Sequence, residues 1–200
     1  MLLKSVTAVL VVVAAAMSSP ALACKSPTLI FSDDFQSPDA AWLADNGTFV
    51  ESGGKAQLTA PANQLGEAHY EGFFADAGDL CVDSTAPAVK DMSTVSGGLV
   101  FGMTDFSNFY VFLVQGDGQA AIVRRQNNGW LVPVPNKPAP GFKPGAANTL
   151  RVTWKGGAGA AYINDQLVFN FKYQPFTNGK FGLYTEGGNT YTFANIKLTN

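Results

Sequence analysis

The pattern of hydrophobic and polar positions between residues 97 and 130 is that of consecutive β-strands. Three apolar runs, rich in β-branched and aromatic residues, cover Leu99–Met103, Phe109–Gln115 and Ala121–Arg125. The short segments between and after them contain Asp-Gly and Asn-Gly steps, which favour tight hairpin turns because those turns require positive φ angles. The run at 109–115 is apolar at odd and even positions alike, which predicts a strand buried on both faces.

The same alternation of strands and turns continues along the rest of the chain, and no helical period of useful length follows residue 23. The predicted strands are Leu29–Phe35, Thr48–Glu51, Lys55–Ala60, Glu67–Phe73, Asp79–Ser84, Gly98–Met103, Phe109–Gln115, Gln119–Arg125, Gly129–Val132, Thr149–Lys155, Ala160–Ile163, Leu167–Phe171, Lys180–Tyr184 and Thr192–Leu198. Pro133–Pro144 is predicted to be an exposed connection, because proline cannot sit in a central strand. Many short strands with this spacing predict an all-β fold, a sandwich of two antiparallel sheets.

The first 23 residues have the features of a cleaved secretory signal peptide. Lys4 gives a positive start, Val6–Met17 is a short apolar core, and residues 21–23 form a small-residue cleavage site. The apolar core is too short to span a bilayer. The mature chain is therefore predicted to be one domain, residues 24–200, in the periplasm or outside the cell.

Composition narrows the range of partners. The formal net charge is −2 and no basic run occurs, which argues against nucleic acid or an anionic membrane surface as a partner. Glycine and proline are plentiful and charged residues are sparse, as in all-β proteins with many tight turns.

The two cysteines are predicted to form a disulfide. Alternation places Cys81 on the polar face of its strand together with Asp79 and Asp83, within reach of Cys24 at the mature N-terminus. An exported protein meets an oxidising environment, where such a pair is stable. The alternative is a lipid anchor on Cys24, although Ala21 stands where a lipoprotein signal normally has leucine.

Four segments occur in an order typical of a known superfamily. They are FSDDF near the start, GGLVFGMTDFSNFYVFLVQGDGQ in the middle, NTLRVTWKGGAGAAYINDQLVF later and GKFGLYTEGGNTYTFANIKL at the end. Together they resemble the concanavalin A-like lectin and glucanase superfamily, a jelly-roll sandwich, and within it the bacterial 3-keto-disaccharide hydrolase domain. The resemblance covers nearly all of the mature chain. It implies a sugar-related role but supplies no catalytic motif.

The Glu-x-Asp-x-x-Glu strand of glucanases with this fold is absent. The nearest candidates, Glu67, His69 and Glu71, share one strand face. At about 3.3 Å per residue the two glutamates stand roughly 13 Å apart, too far for either glycosidase geometry. These residues are weak candidates for a metal site, and a solvated strand face is the favoured interpretation. His69 is the only histidine, which excludes a histidine-rich zinc centre.

Two further sets of residues are candidate sites. Asp33 and Asp34 are weak candidates for calcium, with capping of backbone groups as the favoured alternative; no other cofactor is predicted. Tyr110, Arg124 and Trp130 are the candidates for ligand contact, since aromatic faces stack on sugar rings and a guanidinium donates to hydroxyl groups. The alternative is that Trp130 packs under the proline-rich loop and Arg124 is solvated.

Three functions remain open at this point. The preferred one is non-catalytic binding of a saccharide or another envelope component on the concave sheet face. The second is a hydrolase or lyase acting on 3-keto-glycosides or related disaccharides, which needs no paired glucanase carboxylates. The third is a structural envelope protein without a small ligand. The sequence does not determine the oligomeric state.

Overall fold

A computed structural model describes residues 24–72, 77–174 and 179–200. The predicted signal peptide, residues 1–23, lies outside the described residues, as does Phe73 at the end of one predicted strand. The described part contains a short 3-10 helix, Met92–Thr94, and these strands: β1 Leu29–Asp33, β2 Trp42–Asn46, β3 Thr48–Ser52, β4 Lys55–Thr59, β5 Leu65–Tyr70, β6 Gly78–Thr85, β7 Ser96–Asp105, β8 Asn108–Gln115, β9 Gln119–Gln126, β10 Gly129–Pro138, β11 Asn148–Lys155, β12 Ala158–Ile163, β13 Gln166–Lys172, β14 Lys180–Glu186 and β15 Thr190–Thr199.

The strands form two antiparallel sheets. The seven-stranded sheet has the order β10-β9-β8-β7-β14-β5-β2, and the eight-stranded sheet has the order β13-β12-β11-β6-β15-β4-β3, with β1 also paired to β15. Among the described residues no helix is long and apolar enough to cross a membrane. The predicted all-β sandwich is confirmed.

The main core lies between the sheets, where alternate residues of each strand meet. Tyr110 and Phe112 of β8 belong to the same buried cluster as Leu80 of β6 and Val152 of β11. A second, smaller cluster covers the other face of the seven-stranded sheet: Val100, Met103, Phe109, Val111 and Tyr184, with Leu65, Phe106, Leu113 and Val123 packed against them. Strand β8 is therefore apolar on both faces because both faces are covered, as predicted. We call the face with the second cluster the outer face.

Two elements differ from the sequence prediction. Strand β2 was not predicted, because only Trp42 of its five residues is buried and an exposed edge strand carries little apolar pattern. Residues 133–138 are not a connection but the second half of β10. This strand lies at the edge of its sheet, where proline is tolerated, and its register with β9 shifts around Val134.

The predicted disulfide between Cys24 and Cys81 is present and joins residues 57 positions apart. The same sulfur cannot also carry a thioether-linked lipid, so this bond is incompatible with a lipid anchor on Cys24. Beside it, Asp79 accepts two hydrogen bonds of 2.7 Å from Arg151 and one of 3.0 Å from the backbone nitrogen of Lys25. The N-terminal segment is thus fastened to β6 by a covalent bond and by a buried carboxylate.

We expect the double variant Cys24→Ser/Cys81→Ser to lose about 4 kcal/mol of unfolding free energy, because the bond closes a long loop in the unfolded chain. Urea unfolding of oxidised wild type, reduced wild type and the variant measures the effect. Reduced wild type should behave like the variant. Equal stability of the oxidised and reduced wild-type protein would contradict the prediction.

Candidate functional site

Strand β5 brings three ionisable side chains to the outer face of the seven-stranded sheet. Ala68 and Tyr70 of this strand face the main core, so the alternate residues Glu67, His69 and Glu71 point to the opposite side. Strand β5 lies between β14 and β2, and both neighbours contribute further groups to the same place.

The interpretation of this strand as a solvated face is wrong. Glu67 is fully buried and His69 is 3% exposed; only the Glu71 side chain reaches solvent to a substantial extent. His69 Nδ1 lies 3.2 Å from Glu67 Oε2, and Nε2 lies 2.9 Å from Glu71 Oε1. The two carboxylates therefore converge on one imidazole ring, although the backbone spacing suggested that they were too far apart to act together.

Two residues that the sequence analysis missed complete this cluster. Asp45 of β2 places Oδ2 3.5 Å from His69 Nδ1. Lys180 of β14 donates to Glu71 Oε1 at 2.6 Å and lies 3.5 Å from His69 Nε2. We call Asp45, Glu67, His69, Glu71 and Lys180 the β5 cluster. Asp45 was missed because β2 was not predicted, and Lys180 because only the sheet order brings β14 beside β5.

The surroundings shift the pKa values of three members of the cluster. Burial raises the pKa of Glu67 to about 7, against the opposing effect of its hydrogen bond to His69. For His69, burial acts to lower the pKa, but the hydrogen bonds and charges of Glu67 and Glu71 outweigh it, so the pKa is raised. The hydrogen bond from Lys180 lowers the pKa of Glu71. Shifts of this kind are typical of residues that transfer protons.

The β5 cluster also contains a set of potential metal ligands. One donor atom each from Asp45, Glu67 and His69 lies within 4.8 Å of the other two. Asp33 and Asp34, the weak calcium candidates, each accept hydrogen bonds from neighbouring groups. Asp33 accepts hydrogen bonds from the Phe35 backbone and the Trp42 indole, and Asp34 accepts one from the Gln36 backbone. They act as caps, as the favoured alternative predicted.

A groove of about 640 Å³ adjoins the β5 cluster on the outer face. It is lined by Asn46, Asn63, Gln64, Leu65, Thr94, Phe106, Arg125, Trp130, Tyr184, Glu186 and Gly187. Asn46 and Tyr184 are the residues directly opposite Glu67 on its two neighbouring strands. The buried carboxyl thus lies between two groove-lining residues.

The groove combines aromatic and polar groups. The Trp130 ring is 44% exposed and stands edge-to-face with Tyr184, at 6.4 Å between centroids. The Arg125 guanidinium lies 4.5 Å from the centre of the Phe106 ring. The Tyr184 hydroxyl donates to Glu186 at 2.8 Å, and burial together with the Glu186 charge raises the pKa of Tyr184, so the hydroxyl stays protonated. Such a volume and lining suit a sugar-sized ligand.

The three predicted ligand-contact residues do not lie together. Trp130 is in the groove, and the alternative that it packs under the proline-rich loop does not describe it. Tyr110 and Arg124 face the main core: Tyr110 is 2% exposed, and the Arg124 guanidinium covers its ring at 5.1 Å and donates to Gln174. Arg124 is thus buried rather than solvated, and its neighbour Arg125 occupies the groove. Ala120 and Ile122 of the same strand are core residues. Alternation along the strand therefore places Arg124 on the core face and Arg125 on the opposite face, and this pattern is visible in the sequence.

Comparisons with known proteins agree with this architecture. Residues 34–199 match the family described as the 3-keto-alpha-glucoside-1,2-lyase-like domain. No curated protein is significantly similar to the chain in sequence. Similar solved structures include the carbohydrate-binding module CBM66 from Bacillus subtilis, with a TM-score of 0.67 and 18% identity over 80% of this chain and 96% of that one. The β-glucanase of Bacillus licheniformis has a TM-score of 0.62 and 14% identity over 85% and 97%. LamAcat from Zobellia galactanivorans has a TM-score of 0.61 and 12% sequence identity, over 86% of this chain and 98% of that one. At these identities the likeness establishes the fold alone.

We expect the unfolding free energy to fall as the pH rises from about 4.5 to about 7. The folded protein holds the Glu67 proton more tightly than the unfolded chain does, so the stabilisation is complete below the unfolded pKa and is lost through the folded pKa. The loss amounts to about 3 kcal/mol. Urea unfolding of wild type and Glu67→Gln, with EDTA present so that no divalent cation contributes, measures it.

The variant Glu67→Gln should show a smaller slope in this pH window, because it lacks the titrating carboxyl. Asp34→Asn, which changes an exposed carboxylate directly after β1, is the matched control and should keep the wild-type slope. Parallel pH profiles of wild type and Glu67→Gln would contradict the assignment of the slope to Glu67.

Proposed function

We propose that this chain, which belongs to the 3-keto-alpha-glucoside-1,2-lyase-like domain family, is an exported enzyme that cleaves 3-keto-α-glucosides by elimination. The observation that carries the proposal is the fully buried Glu67, hydrogen-bonded to His69 beside an aromatic groove. This arrangement favours the second of the three functions open from the sequence. Glu67 is the more deeply buried of the two glutamates that have an unpartnered oxygen among the described residues, and retaining such a carboxyl costs stability, which supports a functional role.

The chemistry requires one base and no water. A ketone at C3 makes the hydrogen on C2 acidic, because the resulting carbanion is delocalised as an enolate. A base removes the C2 proton, the electron pair forms the C1–C2 double bond, and the bond between C1 and the glycosidic oxygen breaks. The leaving oxygen takes up one proton, which balances the proton that the base received. The products are an unsaturated 3-keto sugar and the free alcohol of the aglycone.

Glu67 is the residue that we assign as the base. Its Oε2 contacts His69, whereas its Oε1 is buried and has no hydrogen-bond partner among the described residues. One oxygen therefore orients the carboxylate and the other is available for a proton, which is the division that general-base catalysis requires. Trp130, whose ring is exposed in the groove, is suited to stack on the sugar.

The cellular compartment of the protein is also part of the proposal. The Cys24–Cys81 disulfide supports an oxidising compartment, in keeping with cleavage of residues 1–23 as a signal peptide and with a periplasmic or secreted protein. Saccharide binding without turnover is the second candidate function, and the exposed Trp130 in the groove favours it equally.

We expect Glu67→Gln to lower the rate of aglycone release from a 4-nitrophenyl 3-keto-α-glucoside by about 10²- to 10⁴-fold, the usual contribution of a general base. Deuterium at C2 of this substrate should slow the wild-type reaction, because the C2 bond breaks. Asp34→Asn should retain wild-type activity, and circular dichroism checks that each variant is folded. Failure of the wild-type protein to release the aglycone would overturn the enzymatic proposal, and release without a C2 isotope effect would argue against rate-limiting proton abstraction by Glu67.

We expect Trp130→Ala to weaken saccharide binding about 3- to 10-fold, because an aromatic stacking contact contributes about 0.5–1.5 kcal/mol beyond its buried area. Calorimetric titration compares saccharide binding by Glu67→Gln with binding by the double variant Glu67→Gln/Trp130→Ala. Because Glu67→Gln suppresses turnover, the titration measures binding alone. Leu131→Ala is the matched control, because Leu131 is exposed on the same strand but, as the neighbour of Trp130, lies on the opposite face of the sheet. Equal binding by the Trp130 and Leu131 variants would place the sugar elsewhere.

A further inference from the structure

We propose that Asp45, Glu67 and His69 bind one divalent transition-metal cation on the outer face of the seven-stranded sheet. This inference does not depend on the proposed function, since it rests on the geometry and charge of the β5 cluster alone. From the sequence, Glu67 and His69 were only weak metal candidates and Asp45 was not a candidate.

The distances between the donor atoms fit a shared ion. His69 Nδ1 lies 3.2 Å from Glu67 Oε2 and 3.5 Å from Asp45 Oδ2, and the three donors lie within 4.8 Å of one another. Donors about 2.0–2.2 Å from a metal stand roughly 3.0–3.5 Å apart when they occupy neighbouring positions of a tetrahedron or octahedron. Two of the three donor separations are therefore already those of neighbouring ligands of one ion.

The contacts of His69 allow the imidazole form that a metal ligand needs. Nε2 lies 2.9 Å from Glu71 Oε1, and Lys180 donates to that same oxygen at 2.6 Å. A proton on Nε2 that is donated to Glu71 leaves the Nδ1 lone pair facing two carboxylate oxygens. Three forms relieve this contact: a proton on the Glu67 carboxyl, a second proton on the ring, or a cation among the three donors. A ligating histidine whose other nitrogen donates to a carboxylate is the common arrangement in metal sites.

The balance of charge also favours a cation. Three carboxyl groups, those of Asp45, Glu67 and Glu71, surround His69, and Lys180 is the only lysine or arginine that forms an ion pair with them among the described residues. Glu67 is fully buried, and within the part of the chain that the structure describes its Oε1 has no hydrogen-bond partner. An uncompensated buried carboxylate is costly, and a bound dication would remove that cost.

The donor set indicates the class of metal. One imidazole nitrogen with two carboxylate oxygens suits Mn²⁺, Fe²⁺, Co²⁺ or Zn²⁺ better than Ca²⁺ or Mg²⁺, which prefer oxygen ligands only. Three protein ligands leave at least one coordination position open. Glu67 would bind through Oε2 and keep Oε1 free, so the metal site and the assignment of Glu67 as a base are compatible.

Calorimetric titration of EDTA-treated, dialysed protein with Mn²⁺, Co²⁺ and Zn²⁺ tests the site. We expect one equivalent to bind to the wild-type protein. His69→Gln should abolish that binding, and Asp45→Asn should weaken it at least about 10-fold, since each removes a ligand. Asp45 is partly exposed, with 39% of its side chain accessible, and the substitution conserves its shape, so this variant is expected to fold. Asp34→Asn is the control and should bind as wild type does.

Glu71→Gln should weaken binding by about 10- to 100-fold, the usual effect of changing a carboxylate that orients a ligating histidine. The visible spectrum of the Co²⁺ form gives a second readout, because His69 is the only histidine of the chain and both cysteines are in the disulfide. The absorption bands of the bound ion should be absent in His69→Gln.

Two results would overturn the proposal: no binding of any of the three metals to wild type, or equal binding by wild type, Asp45→Asn and His69→Gln. The outcome is separable from that of the proposed function. Metal binding without cleavage of a 3-keto-α-glucoside refutes only the lyase assignment. Cleavage by a protein that binds no metal refutes only the metal site.

Discussion

The proposed chemistry of this protein depends on the buried hydrogen bond between Glu67 and His69. A carboxyl group can be buried on the outer face of a sheet only if neighbouring residues exclude water there. The second apolar cluster, which includes Tyr184 directly opposite Glu67, does so. Because water is excluded, the pKa of Glu67 rises to about 7, and interactions with a neighbouring charge or ion become stronger than they would be in solvent.

Glu67 and Asp79 are the most deeply buried acidic residues of the seven-stranded and the eight-stranded sheet, respectively, and their surroundings differ. Asp79, on the eight-stranded sheet, accepts two hydrogen bonds from Arg151 and one each from the Lys25 and Ser26 backbones, so its charge is fully compensated. Glu67 has one oxygen without a partner among the described residues. Satisfied buried networks fix a fold, whereas an unsatisfied buried group calls for an explanation in chemistry or ligand binding. The eight-stranded sheet holds the N-terminal segment, and the seven-stranded sheet provides the candidate site.

The alternation of side chains along each strand decides which residues can take part. Arg124 and Arg125 are neighbours in sequence, yet Arg124 lies in the main core against Tyr110 and Arg125 lies in the groove. A shift of one residue in the assignment of a strand moves every side chain to the other face. For this reason the ligand-contact prediction included Tyr110 and Arg124 on the core side together with Trp130 in the groove.

The sequence alone determined the two-sheet sandwich, most of its strands and the Cys24–Cys81 bond, because these depend on local alternation and on turn residues. It also singled out Glu67, His69 and Glu71, since they share one face of a single strand. Only the tertiary structure decided that this face is buried and that Asp45 and Lys180 join it. Burial and cross-strand neighbours depend on the order of strands in the sheet, and strands far apart in sequence pair through backbone groups that every residue has, so their partners leave little trace in the sequence.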